Sequence, residues 1–404
     1  MRSLADKAFK GRVLFVGQSY YHNWYLSREL RKLGWKADVL NWDPGEKSQI
    51  YYHGEDFKFV YHGKKVSIKS MIALFRHLVF YFRSLMNYDL YHFSNAHEMQ
   101  FGSDVHYLFK KLFAEYAEIG LLKKFGRKIV YANNGCLDGV AQTSFSKWGP
   151  ECVCAICRWQ NVPAVCSDAR NLAWGKIRNR LADYQLTIGG NRVDYNNDPL
   201  VHEVPQYYCL DQDLWAPELP VPEKYRLSYP QEVIKIYHAV GNFASRSAAL
   251  SKNIKCTHIY LPVIERLKAE GHKVELVFFH DVPNKIVRYY QAQADIVVDM
   301  LTYGWFGANV REGMMLGKPC VCFLRPEWIE SIRREVPDYV KELPVVNATP
   351  GTVYEVLKDL IEHPEKRREI GRRSREFAVK WHSAVAGARK LDQIYSELLH
   401  LKTN

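Results

Sequence analysis

Short apolar runs alternate with segments of helical spacing over most of the chain. Residues 12–16 form an apolar run that ends at Gly17, and residues 20–33 place apolar side chains at helical spacing before Gly34. A second apolar run follows at residues 37–40. A strand, a helix and another strand in this order form a βαβ unit, the building block of parallel sheets. The start of the chain therefore predicts a parallel sheet that binds ligands at the carboxyl ends of its strands.

The alternation continues in two series, separated by a proline-rich stretch at residues 214–223. Both series have the pattern of doubly wound α/β domains, and we expect the two domains to face a cleft. Predicted strands lie at residues 89–93, 128–131, 185–188, 234–238, 274–279, 296–299 and 319–323. Predicted helices lie at residues 70–86, 103–125, 168–181, 256–270, 284–293 and 308–316, with later helices starting at Pro326, Pro350, Pro364 and Ser383.

The predicted boundaries follow from these patterns. The first domain covers residues 1–212 and carries a cysteine-rich insert at residues 136–166. A linker covers residues 213–230, and the second domain covers residues 231–382. Residues 383–404 form a last helix.

Composition supports a globular protein. The 404 residues are 47% hydrophobic and 25% charged, which argues against a disordered chain. The longest apolar stretch, residues 70–86, is interrupted by Arg76, His77 and Arg83, and no run approaches the roughly 20 apolar residues of a membrane-spanning helix. The first twelve residues do not resemble a secretory signal. We therefore expect a cytoplasmic location.

The net charge of +12 favours anionic partners or reflects a solvated basic surface. The basic run from Lys366 to Arg375 is either a solvated helix face or a contact for anionic lipid at the inner face of the membrane.

Residues 305–323 carry the most informative motif. Gly307 stands where a helix begins, and Ala308 and Asn309 follow it. Unpaired backbone N–H groups at such a start suit a diphosphate, and glycine allows an anion to approach closely. Glu312, about one turn later, can accept hydrogen bonds from a ribose diol. The alternative is an ordinary helix with a surface glutamate.

Two cations lie near the end of the first strand of the second series. Arg246 and Lys255 follow residues 234–238, at the carboxyl edge of the predicted sheet. A guanidinium and an ammonium there can neutralise the phosphates of a nucleoside diphosphate leaving group. The alternative is that both are solvated loop charges.

Residues 234–380 resemble the C-terminal domain of the family-four retaining glycosyltransferases, which have the GT-B fold. The resemblance covers the second half of the chain, and covers the first half only in architecture. The matching residues are His238-Ala239, Arg246, Lys255, residues 294–299, Gly307 and residues 312–319; residues 211–217 resemble the stretch that leads into the linker.

The resemblance implies transfer of a sugar from a nucleotide donor, UDP- or GDP-linked, to a glycan, lipid or protein acceptor with retained anomeric configuration. It places the donor in the second domain and the acceptor in the first. It assigns the ribose to Glu312 and the diphosphate to the backbone of Gly307, Ala308 and Asn309 with Arg246 and Lys255. It implies no catalytic metal, and it suggests that the last helix packs back on the first domain.

Two departures from the family concern the donor sugar and the acceptor. The family has a second glutamate eight positions before Glu312, where this chain has Gly304. The family often has a histidine after a first-domain strand, where this chain has Asn133-Asn134. His92 and His97 are the nearby alternatives, and we take His97 as the candidate acceptor-side residue.

The cysteines offer one further site. Cys136, Cys154, Cys157 and Cys166 could close a tetrahedral structural zinc site in the insert, although buried free thiols or a redox pair also fit the spacing. Two further functions remain open: a sugar-nucleotide epimerase of the same fold, and a non-catalytic protein that binds nucleotide or nucleic acid.

Overall fold

A computed structural model of the chain describes residues 9–17, 21–43, 55–60, 68–94, 96–99, 115–133, 135, 138–145, 153–187, 192–248 and 252–401. Within these residues, two separate parallel sheets are covered by helices on their faces.

The first sheet has seven strands in the order β3-β2-β1-β4-β5-β6-β7, and all neighbouring strands are parallel. Its strands are β1 (Gly11–Val16), β2 (Trp35–Asp43), β3 (Phe57–Val60), β4 (Leu90–Ser94), β5 (Lys128–Ala132), β6 (Tyr184–Thr187) and β7 (Val201–Glu203). Val13 to Val16 are completely buried because β1 lies in the middle of the sheet. Apolar runs of this kind are typical of strands covered on both faces.

The second sheet has five parallel strands in the order β12-β11-β10-β8-β9. Its strands are β8 (Ile234–Val240), β9 (Val274–His280), β10 (Ile296–Val298), β11 (Cys320–Cys322) and β12 (Val346–Asn347). The sheet continues to one side of β8 through β9 and to the other side through β10. The carboxyl ends of β8 and β10 therefore form a topological switch point, where ligands bind in folds of this class.

Fourteen α-helices lie in the described part of the chain. Those before the second sheet are α1 (His22–Lys32), α2 (Ile68–Asn87), α3 (Ala117–Lys124), α4 (Gln142–Phe145) and α5 (Asp168–Leu181). The others are α6 (Phe243–Arg246), α7 (Thr257–Ala269), α8 (Asn284–Ala292), α9 (Ala308–Met315), α10 (Pro326–Glu335), α11 (Pro337–Glu342), α12 (Val353–Glu362), α13 (Pro364–His382) and α14 (Ala384–Leu398). Their order confirms the predicted doubly wound α/β class. The predicted helix at residues 103–125 lies largely outside the described residues.

The last helix, α14, packs against the part of the chain that forms the first sheet. Asp392 on α14 accepts hydrogen bonds from Lys10 and from the Trp35 indole, both at 2.7 Å. Leu210, just after the first sheet, forms a parallel bridge with Ser383, the residue before α14. The chain therefore connects the two halves at two neighbouring points.

Candidate functional site

The switch point of the second sheet brings Lys255 to the start of α9. The Lys255 ammonium lies 2.5 Å from Asp299 Oδ1, and the other oxygen of this carboxylate accepts a hydrogen bond of 3.2 Å from the backbone N–H of Gly307. The Asp299 side chain is fully buried, and the Lys255 side chain is 13% exposed. Asp299 therefore holds the Lys255 ammonium at the start of α9, a position that favours an anion, and its own buried carboxylate is the anion that fills it in this structure.

A side chain at Gly307 would be tightly packed, although the backbone conformation there does not demand glycine. A Cβ atom at this position would lie 3.0 Å from the Lys255 ammonium and 3.3 Å from Asp299 Oδ2. The next residue, Ala308, begins α9, and the side chain of Asn309 donates a hydrogen bond of 3.1 Å to the carbonyl of Ala239. This bond joins the helix start to the carboxyl end of β8. The three predicted backbone positions and Lys255 thus lie together at one edge of the sheet.

Arg246 lies at the same edge, on the segment that follows β8. It is the last residue of α6 and is partly exposed. The carbonyl groups of Ala244 and Ser247 on this segment accept hydrogen bonds from Arg158, at 2.7 and 3.4 Å. Arg158 belongs to the cysteine-rich insert of the first half of the chain. The insert therefore helps to hold the segment that carries Arg246.

Glu312 is buried beneath this edge and is 2% exposed. Its Oε1 accepts a hydrogen bond of 2.6 Å from the Tyr21 hydroxyl, and its Oε2 accepts one of 2.8 Å from the Gln291 amide. Burial raises the pKa of Glu312, and the hydrogen bonds from Tyr21 and Gln291 oppose this rise. Tyr21 comes from the first half of the chain, so the proposed ribose ligand is also a contact between the two halves.

Gly304 cannot accommodate the family's second glutamate without rearrangement. Its φ is +92°, in the region that favours glycine, and a Cβ would lie 2.7 Å from the Cβ of Arg325. The backbone carbonyl of Gly304 accepts a hydrogen bond of 2.8 Å from the Arg325 N–H. The buried Arg325 side chain thus takes space beside the backbone where a glutamate side chain would begin.

His97 follows β4 at the carboxyl edge of the first sheet and has an exposed side chain. Its ring is stacked on Trp174, with the ring centroids 3.9 Å apart, and its carbonyl accepts a hydrogen bond from the Tyr131 hydroxyl. His92 is completely buried, and its Nδ1 lies 2.5 Å from the Tyr395 hydroxyl. Burial lowers the pKa of His92 to about 3. Of the two histidines, His97 is the one accessible from solvent.

Sequence reasoning missed several residues around α9. Asp299 belongs to a predicted strand, and no pattern in the sequence singles out Tyr21. Arg311 is 5% exposed; it donates to the Phe306 carbonyl and lies 5.0 Å from the centroid of the Tyr208 ring. Tyr21 and Arg311 are placed by contacts between the two halves of the chain, and Asp299 by its distant neighbour Lys255, none of which a local pattern reveals.

The insert does not display a metal centre among the residues that the structure describes. Cys154 is buried and Cys157 and Cys166 are partly exposed, and no group of three or more metal-ligating side chains gathers in this part of the chain. Cys136, the fourth expected ligand, lies outside it, so the zinc site stays a prediction. Metal analysis of protein purified without chelator tests it.

Two other sequence features have structural roles. Asp211 accepts hydrogen bonds from the backbone N–H groups of Asp213 and Leu214, so these two aspartates form a turn before the linker. In the basic run on α13, Arg375 donates to the carbonyl groups of Gln212, Trp215 and Met315. Arg372, in the same run, pairs with two glutamates of its own helix.

Comparison with known proteins identifies the architecture. No family model matches the sequence, and no curated protein matches it in sequence. Solved structures match over 96% of this chain and 99% of their own: Anabaena HepE with UDP and glucose (14% identity, TM-score 0.57), Thermosynechococcus elongatus sucrose-phosphate synthase (14%, 0.54) and an alpha-glucosyltransferase with UDP-glucose and DNA (11%, 0.55). The chain has the GT-B fold. In this fold, the edge that carries Lys255 and Gly307 belongs to the second Rossmann-like domain.

Proposed function

We propose that the protein is a glycosyltransferase that moves a sugar from a nucleoside diphosphate donor to a glycan, lipid-linked or protein acceptor, with retention of anomeric configuration. One observation carries the proposal: the start of α9, Gly307 and the largely buried Lys255 lie together at the switch point of the second sheet. Solved structures of this fold include complexes with UDP and UDP-glucose, which favours a UDP-sugar as the first donor to test.

The donor diphosphate would bind against the start of α9. The backbone N–H groups of Ala308 and Asn309 supply partial positive charge and Arg246 supplies a full charge, while Lys255 and the Gly307 N–H, which contact Asp299, would turn to the phosphates. Asp299 orients the Lys255 ammonium before any ligand arrives. Charge develops on the departing phosphate in the transition state, so cations fixed at this point lower the barrier without a catalytic metal.

The ribose would bind Glu312. The Glu312 side chain is only 2% exposed and is covered by its two donors, Tyr21 and Gln291, so a ribose would have to displace one of these side chains to reach it. Because Tyr21 belongs to the first domain, the exchange would link nucleotide binding to the contact between domains. On the acceptor side, the exposed His97 is the residue we propose to contact the acceptor.

A donor screen tests the proposal. The protein is incubated with UDP- and GDP-sugars, with and without mixed glycan and lipid-linked acceptors, while nucleoside diphosphate release and product configuration are followed by NMR. Acceptor-dependent release of UDP or GDP, with a retained anomeric centre, is the expected result. Epimerised donor without acceptor would identify an epimerase, and diphosphate binding without turnover would identify a non-catalytic protein.

Arg246→Gln tests the diphosphate site directly. We expect the affinity for UDP, measured by calorimetry, to fall about tenfold or more, since hydrogen bonds to charged groups contribute about 1.5–3 kcal/mol. Lys273→Gln is the matched control, because Lys273 is exposed and lies just before β9, at the opposite edge of the same sheet. Equal UDP affinity in both variants would place the diphosphate elsewhere.

A further inference from the structure

The side of α2 that faces away from the protein is apolar and exposed. Ile68, Phe75 and Met86 are 82%, 68% and 66% exposed, and Met71, Ile72 and Phe82 are 47–57% exposed. At 3.6 residues per turn, these six positions fall within an arc of about 100°. We call them the outer face of α2. Contiguous exposed apolar patches on globular proteins mark interaction sites.

Within the described part of the chain, this face takes little part in the core. The opposite side of α2 supplies the packing, since His77, Tyr81, Ser84 and Leu85 are at most 4% exposed. The ring of His77 stacks on Phe59 of the edge strand β3, with centroids 4.3 Å apart. The helix is therefore already fixed to the first domain by its inner side.

One flank of the outer face is basic. Lys69, Arg76 and Arg83 recur every seven residues and are exposed, which places them along the same side of the helix. The twenty residues of α2 include no aspartate or glutamate. A second copy of the same helix would bring like charges together, whereas an anionic surface would be attracted. Charge therefore favours an anionic occupant over self-association.

A cavity of about 410 Å³ adjoins the basic flank. Its apolar lining includes Phe57, Phe75 and Phe80, and its cations are Lys36, Arg76 and Arg83. Cations beside an apolar lining suit an amphiphile, which has a charged phosphate and a hydrocarbon part. Lys36 already lies 3.9 Å from Asp38, but a purely apolar partner would offer no anion to Arg76 and Arg83.

We propose that the outer face of α2 binds the surface of an anionic phospholipid bilayer. Its apolar side chains enter the boundary between headgroups and acyl chains, while Lys69, Arg76 and Arg83 contact lipid phosphates. No helix in the described part of the chain is long and apolar enough to cross a membrane, so the contact is one of a helix lying in the interface. The inference is independent of the proposed transfer reaction.

The topology relates this surface to the cleft. Helix α2 ends at Asn87, and β4 begins at Leu90 at the amino edge of the first sheet. The other end of the helix, at Ile68, therefore lies toward the carboxyl edge, which in this fold faces the cleft. A bilayer on the outer face would lie beside the opening of the cleft.

Vesicle sedimentation of the full chain tests the proposal, without donor or acceptor. Vesicles of phosphatidylcholine mixed with phosphatidylglycerol should bind the protein, and binding should weaken as salt is added. Phe75→Ser with Phe82→Ser should weaken binding about tenfold per residue, because each buried phenylalanine contributes about 1.5–3 kcal/mol. Arg76→Gln with Arg83→Gln should weaken it about fivefold per residue, and the corresponding lysine variants should not.

Matched variants elsewhere separate this surface from other exposed groups. Arg368→Gln with Arg373→Gln on α13, and Leu261→Ser with Phe125→Ser, should leave vesicle binding unchanged. All these positions are exposed, so circular dichroism should show folded protein in every case. The proposal is overturned if the mixed vesicles do not bind, if the α13 pair weakens binding as much as the α2 pairs, or if Phe75→Ser with Phe82→Ser abolishes a dimer while vesicle binding is unchanged.

Discussion

The hydroxyl of Tyr21 donates a hydrogen bond of 2.6 Å to Oε1 of Glu312, across the boundary between the two domains. Tyr21 is the residue before α1, and Glu312 lies in α9 of the second domain. Both side chains are buried, and burial together with the Glu312 charge raises the pKa of Tyr21. The candidate ribose ligand is therefore also part of the domain interface.

Replacement of Tyr21 with Phe should lower the unfolding free energy of the protein without nucleotide and raise its affinity for UDP. The change leaves Glu312 with one donor fewer, which costs about 1–3 kcal/mol of unfolding free energy for a buried group. If ribose hydroxyls replace Tyr21 on the carboxylate, the variant should lose less stability when saturated with UDP. Urea unfolding with and without UDP measures both effects.

Tyr25→Phe is the control for this experiment. Tyr25 is equally buried, lies in α1, and its hydroxyl accepts a hydrogen bond of 3.4 Å from the Trp215 indole. Its effect on stability should be the same with and without UDP. If Tyr21→Phe behaves in the same way as this control, Glu312 does not exchange Tyr21 for the ribose.

The Lys255–Asp299 pair should show strong coupling. Lys255→Met leaves the fully buried Asp299 carboxylate without its cation, and breaking a buried pair costs about 3–5 kcal/mol. Adding Asp299→Asn should recover part of this loss, because the uncompensated charge is then removed. A double-mutant cycle by chemical denaturation measures the coupling, and additive losses would contradict it.

Gly304 and Gly307, the two glycines just before α9, should differ in the stability that an alanine substitution costs. Gly304→Ala places a Cβ 2.7 Å from Arg325 Cβ at a φ of +92° and should cost more than about 1–2 kcal/mol. Gly307→Ala meets only the flexible end of Lys255 and the Asp299 carboxylate, so its cost in stability should be smaller. It should nevertheless weaken UDP binding, because the methyl group occupies the helix start.

Gly120→Ala calibrates these substitutions. Gly120 lies in α3, and nothing lies within 4 Å of an added Cβ, so alanine should stabilise the helix by up to about 1 kcal/mol. Thermal unfolding of the three variants gives the order. If Gly304→Ala is as stable as Gly120→Ala, the stated role of Arg325 is wrong.

The buried carboxyl group of Glu203 should make stability depend on pH. Burial raises the pKa of Glu203 to about 7, opposed by a hydrogen bond from Ser331 and by Arg192. The folded protein then keeps a proton that the unfolded chain releases above about pH 4.3. Stability from this group is present at low pH and is lost as pH rises toward 7, by about 3–4 kcal/mol at most.

Glu203→Gln removes this dependence while it keeps an acceptor for Ser331. The unfolding free energy of the variant should change less between pH 5 and 8 than that of the natural protein. This range is chosen because the Glu203 carboxyl has a pKa of about 4.3 in the unfolded chain and about 7 in the folded protein. Glu330→Gln, on the same helix as Ser331 but exposed, should leave the dependence unchanged. Parallel pH profiles of the natural protein and Glu203→Gln would contradict the prediction.

Local patterns were sufficient for most of the fold. The central strands are apolar runs buried on both faces, and the glycine-to-proline segment around α9 identified the edge with Lys255 and Gly307. Short edge strands escaped prediction: β3, β7 and β12 have only two to four residues each. Too few residues alternate there to distinguish a strand from a loop, and pairing with a neighbour decides the conformation.

Chemistry that depends on distant contacts could not be read from the sequence. The spacing places Glu312 one turn into a helix, but its burial results from Tyr21 and Gln291, which are 291 and 21 positions away. Asp299 becomes a counter-ion only when β10 brings it beside Lys255. Gly304 stands where the family that the sequence resembles has a glutamate, and the sequence alone does not show that Arg325 packs against it.

The bridge between Leu210 and Ser383 limits how the two domains can move. The backbone N–H of Leu210 donates to the His382 carbonyl, and the N–H of Ala384 donates to the Leu210 carbonyl, so two chain crossings run side by side. Because the two crossings are bonded to each other, we expect any closure around a donor to bend at this pair of crossings rather than at a single flexible linker. Proteolysis at either crossing alone would leave the domains joined by the other.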